Sequence, residues 1–163
     1  MFVREGDCLV GRFDPAGASV LHQVMVEVTG LLADRLDRTD PIVARLFPDM
    51  YRDDPEISAD LRQYTESDLK TAKLEQAGTI LATLPTEGGE VRLDDEQAET
   101  WLRALTDARL ALGMQLGLRD DTDLVAEMDE AVLHDPISVR VAQLSVYAYL
   151  SELQESLVEA LVG

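Results

Sequence analysis

Between Leu46 and Glu56 the chain reads LFPDMYRDDPE, which gathers four carboxylates, Asp49, Asp53, Asp54 and Glu56, around two prolines and two aromatics. Carboxylates hold hard cations such as calcium or, in pairs whose pKa values are pushed apart, carry acid–base hydrolysis. The spacing does not follow the twelve-residue calcium loop, which needs alternating ligands, a central glycine and a closing glutamate. Here Met50 and Tyr51 interrupt the series. A hydrolase would need Asp49, Asp53 or Asp54 to converge with an acid from a distant helix, such as Glu99 or Asp107, in a partly buried pocket. No metal is expected; the plainer reading makes these acids partners of exposed helix N-termini. Phe47, Tyr51 and Arg52 give the same stretch the look of a docking surface, because aromatics beside arginine are common interface anchors. Trp101, Tyr147 and Tyr149 extend that hint, the two tyrosines pointing in different directions from one helix.

Cys8 is the only cysteine, so no intramolecular disulfide can form, and with only His22 and His134 a cysteine–histidine metal cage is excluded. A thiolate at Cys8 would draw on Arg4 or Arg12; the competing reading is a small apolar residue on a strand. No G-x-S-x-G nucleophile elbow and no phosphate-cradling glycine loop occurs, and no cofactor is expected. Thirty-two acids against fourteen basic residues leave a net charge of −18. Such a surface repels phosphate backbones. The best recognition-helix candidate, SVRVAQLSVYAYL, offers only Arg140. Met1 opens onto FVREGD without a signal-peptide core, and no apolar run is read as approaching the roughly 20 residues of a membrane helix, so a cytoplasmic protein is expected.

The elements that must position these groups are mostly helical. Residues 1–13 read as a β-hairpin, FVRE and CLVGRF about a Gly6-Asp7 type II′ turn. That register puts Val3, Cys8 and Val10 on one face and Phe2, Arg4, Leu9 and Phe13 on the other. Asp14-Pro15 starts a helix whose scarcity of charge up to Glu27 predicts a central, largely buried element. PIVARLF gives a short helix closed by Pro48; Pro55 restarts one over Glu56 to Tyr64, with Thr65 as a fresh N-cap for a longer helix ending before Pro85. EVRL, residues 90–93, offers a third strand able to join the hairpin. Asp94 caps DDEQAETWLRALTDARLALGMQLG, which Gly117 ends. An acidic loop and a shorter helix span Asp120 to His134, and Asp135-Pro136 caps a last helix with a stripe from Ile137 to Leu161. The expectation is one mainly α domain over 1–163, a helical bundle (14–163) with a small β appendage.

Three stretches together resemble a known family. RLFPDMYRDDPEISADLRQYTESDLKTAKLEQAGTILATLP, then GGEVRLDDEQAETWLRALTDARLALGMQLGL, then YAYLSELQESLVEALVG are similar to an actinobacterial family long catalogued as a domain of unknown function, whose members are described as oxidative-stress regulators, AosR. The resemblance implies a cytoplasmic protein that adjusts transcription through the transcription machinery, with redox sensing by two cysteines separated by three residues. This chain departs from that pattern, because the positions four residues either side of Cys8 are Arg4 and Arg12. The family's gene neighbours also suggest a link to Clp proteolysis or sulfur metabolism.

The reading that follows is a non-enzymatic regulator that binds another protein through a basic surface on that partner, such as a sigma factor. Its competitors are a direct DNA-binding regulator, a carboxylate-based hydrolase and an accessory protein of Clp proteolysis or sulfur metabolism. A homodimer through the last helix stays open.

Overall fold

The computed structural model describes residues 1–34, 39–47 and 55–163, the side chains of residues 55 and 57–65 excepted. Glycine at the first turn position bends the hairpin: Gly6 has φ 64°, and Asp7 keeps a negative φ, the combination a type II′ turn needs. Strands β1 (Phe2–Glu5) and β2 (Cys8–Phe13) pair Val3 with Val10 and Glu5 with Cys8. β3 (Gly89–Leu93) joins the open edge of β2, giving an antiparallel sheet in the order β1-β2-β3. Both the expected register and the third strand are therefore present.

Alternation divides this sheet by chemistry. Its inner face carries Phe2, Leu9, Phe13, Val91 and Leu93 into the core. Phe2, Phe13 and Trp101 form an aromatic cluster there, with Phe2 edge-on to Trp101 at 5.5 Å between centroids. Gly11 is required at this point, since a Cβ would lie 2.6 Å from the Phe2 ring. The outer face carries a charge network in which Arg12 and Arg92 each reach both Glu5 and Glu90.

Six helices make up the rest of the described residues: α1 (Pro15–Ala33), α2 (Pro41–Leu46), α3 (Pro55–Thr83), α4 (Asp95–Gln115), α5 (Leu124–His134) and α6 (Val139–Val162). Five begin on a side-chain cap, α2 through Asp40, which accepts from the Ile42 N–H. Asp14, Asp94, Asp123 and Ser138 each accept from a backbone N–H three residues on, and Asp94 adds a full capping box with Gln97. The core is built by stripes from α1 (Leu21, Met25, Leu32), α4 (Trp101, Leu105, Ala108) and α6 (Leu150, Leu153, Leu157), with Ile80 of α3 and Phe47 after α2. Lys73 crosses from α3 to α4, its Nζ 2.8 Å from both carboxylate oxygens of Asp107.

Four expectations are corrected. The restart at Thr65 does not occur: α3 is continuous from Pro55 to Thr83, because no proline or glycine interrupts it before Gly78 and a mid-helix threonine costs only tenths of a kcal/mol. The last helix is capped by Ser138, not Asp135. Asp135 instead ends α5 and accepts from the Ile137 N–H in a turn, which leaves Ile137 92% exposed and off the core stripe. α1 is not buried all round; Ala18, Leu21, Met25, Val28 and Leu32 face the core, Val20, Val24 and Leu31 are half-buried, and Val26 is exposed. Finally, α1 is by length and composition long and apolar enough to cross a membrane, although its buried stripe packs within this protein's own core.

Candidate functional site

The outward surface of α1 meets two other helices. α4 packs against both α1 and α6, whereas α1 and α6 barely touch. The gap between them is a groove of about 530 Å³. Ala108, Ala111 and Leu112 of α4 form its floor; Val20, Val24 and Leu31 stand on the α1 side, and Val139, Ala142 and Val146 on the α6 side. Glu27 is its one charged lining residue, held by the Gln23 side-chain amide at 3.1 Å. Small residues on the floor and branched apolar residues on the rims suit a helix laid into the cleft. Val139 of this lining is 73% exposed, and Ile137 and Leu133, two and six residues before it, are 92% and 88% exposed, an apolar shelf at the α5–α6 turn. Exposed apolar residues grouped within a short stretch of chain mark contact surfaces more often than isolated ones do.

On the far side of α4 and α6 lies a polar pocket that involves Tyr147. The Arg109 guanidinium sits over the Tyr147 ring, 5.3 Å from its centroid. Gly113 makes room for that ring, since a Cβ there would stand 3.1 Å from Cε2 of Tyr147. Gln154 accepts from Arg109 at 3.4 Å and donates to the Thr106 hydroxyl at 2.9 Å.

The anticipated site residues are dispersed rather than gathered. Asp49, Tyr51, Arg52, Asp53 and Asp54 lie outside the described residues, as does Pro48. Phe47 is buried in the core with Lys73 over its ring at 6.0 Å, and Trp101 is fully buried, a core residue and not an interface anchor. Tyr147 and Tyr149 do diverge, but both are half-buried. The Tyr149 hydroxyl abuts the start of α1 beside Gly17 and Asp14, and burial, then the Asp14 carboxylate, push it above its ordinary range. Cys8 is a free, half-buried thiol on the outer sheet face. Neither arginine suggested as its helper serves it: Arg4 donates to the Ala160 carbonyl and to Asp95, and Arg12 is engaged by Glu5 and Glu90.

The competing chemistries fare similarly. Asp107 is bound by Lys73, and Glu99 is an exposed partner of Arg103, so neither is a free acid in a pocket. Among the described residues no cluster of three or more His, Cys, Asp or Glu side chains could hold a metal ion. Arg140, the single cation of the recognition-helix candidate, donates to the Leu116 carbonyl and to Glu127. Sequence reasoning missed the groove and the pocket. Its one usable signal was DARLALG, a motif that holds Asp107, Arg109 and Gly113 within about two turns of α4.

Comparison with known proteins places these features in a family. The chain is 32% identical over 171 residues to the oxidative stress regulator AosR of Mycobacterium tuberculosis and of Mycobacterium bovis, covering 95% of this chain and 74% of theirs. It is 34% identical over 169 residues, with the same coverage, to a putative oxidative stress regulator AosR of Mycobacterium leprae. No solved structure matches it. Residues 1–161 match the family described as a domain of unknown function, DUF2017, and the chain belongs to that family.

Proposed function

We propose that this protein is a non-enzymatic, cytoplasmic regulator that acts by binding another protein, and that the α1–α4–α6 groove is where the partner docks. The relatives' description as oxidative stress regulators supports the regulatory part. The observation that carries the rest is the groove itself, a mainly apolar cleft of about 530 Å³ that includes the exposed Val139, with exposed Ile137 and Leu133 shortly before it in the chain, on a protein of net charge −18. The occupant that fits is an amphipathic helix with its apolar face down and basic residues along its flanks. Each apolar side chain it buries contributes about 1.5–3 kcal/mol, and the opposite charges speed encounter. The DNA-binding region of a sigma factor has the required chemistry.

The test is a titration of the purified protein with purified sigma factors of the same organism, at low and at physiological ionic strength. The reading expects at least one complex that weakens as salt rises. No binding at low salt, or binding indifferent to salt, would remove the sigma factor from the account.

A further inference from the structure

In a chain so rich in acids, most of the described cations have a carboxylate partner. Among the described residues, Arg4, Arg12, Lys73, Arg92, Arg103 and Arg140 each reach a carboxylate, and Lys70 donates to the Ala33 and Asp34 carbonyls. The remaining three arginines, Arg45, Arg109 and Arg119, all line the polar pocket beside Tyr147, a cavity of about 710 Å³. Asp120 is the single acid lining it, so the pocket is a cationic spot on an anionic protein.

Arg109 is the centre of this arrangement. Its Nε–H is buried with no acceptor, and the contact from its Nη1 to Gln154 is a long one at 3.4 Å. Buried donors are nearly always satisfied, and an orphan one calls for an explanation. The guanidinium rests over the Tyr147 ring, which limits its rotation without locking it, so an acceptor meets a largely pre-positioned fork. The same lining also includes the half-buried apolar residues Leu110, Met114, Leu118 and Leu124.

We infer that this pocket binds a small organic carboxylate, its carboxylate on the Arg109 guanidinium between Arg45 and Arg119, its apolar body against Leu118 and Leu124. The carboxylate reaches the guanidinium through its terminal nitrogens, and Arg109 turns slightly for Nε to join a bidentate pair. Inorganic phosphate fits less well, because it has no use for the apolar side of the cavity. The site lies across α4 from the docking groove, and its existence does not depend on the groove having a partner.

The experiment follows the Arg109 Nε–H resonance by ¹H–¹⁵N NMR while the full chain is titrated with benzoate, with chloride held constant and inorganic phosphate as the comparison anion. A saturable shift with a Kd of about 1 mM or tighter is expected, weaker by about tenfold in the R45A/R119A variant. Both of those side chains are exposed, so the variant keeps its fold. Absence of a saturable shift, an unchanged affinity in R45A/R119A, or tighter binding of phosphate than of benzoate would each overturn the assignment.

Discussion

The Lys73 ammonium sits 2.8 Å from each carboxylate oxygen of Asp107, with both side chains largely shielded from water. This pair joins α3 to α4 beneath the Phe47 ring. Removing one member leaves a buried charge without its counterpart, so D107A should destabilise the protein by about 3–5 kcal/mol. Replacing both, as K73M/D107L, should recover most of that loss. Urea denaturation of the single and double variants gives the comparison; equal losses in both would mean that the side chains act only through packing.

Tyr149 supplies an alkaline limit. Burial, and then the Asp14 carboxylate, hold its hydroxyl above the ordinary value of 10.0, so the folded state keeps a proton that the unfolded chain gives up. The sign follows from linkage: this contribution is complete below about pH 10 and is lost as pH rises through the folded-state value. In a tyrosinate absorbance titration, one tyrosine should ionise late, and Y149F should remove that late step.

Glu5 supplies the acid counterpart. Its hydrogen bond from Arg12 at 2.6 Å, aided by the charges of Arg12 and Arg92, draws its carboxyl below the ordinary 4.5. A depressed carboxyl stabilises the fold above its unfolded value, and that effect fades as pH falls through the folded one. Carboxyl-detected NMR should show Glu5 titrating below the ordinary glutamate value, and R12A should move its titration back up.

The shelf makes a prediction of the opposite kind. Leu133 and Ile137 are almost fully exposed, so L133D and I137D should change folding stability by no more than about 0.5 kcal/mol. If the shelf extends the docking groove, the same substitutions should slow association with the partner or weaken it. Thermal unfolding and binding measured on one preparation separate the two effects.

Most of the secondary structure was legible because its signals are local. Gly6, the Asp14-Pro15 pair and the Asp94 capping box each act within a few residues, and all three operate as read. Where two local signals compete, sequence reasoning picks one: Asp135-Pro136 and Ser138 both suit a helix start, and the turn between α5 and α6 places the cap on Ser138. The groove was invisible for a different reason. Val20, Val24 and Val146 have the composition of core positions, and only the tertiary gap between α1 and α6 decides that they stay half-open. Arg109 was likewise hidden, since a helical arginine reads as solvated until its stacking on Tyr147, 38 residues later in the chain, is seen.

The docking account is tested most directly by a photoreactive amino acid placed at Val146, on the groove wall, in the native host during oxidative stress. The account predicts a crosslink to a segment of one transcription-associated protein that forms a basic amphipathic helix, lost when Val24 is changed to Glu. A crosslink only to a second copy of this chain, or a crosslink that V24E leaves intact, would contradict it.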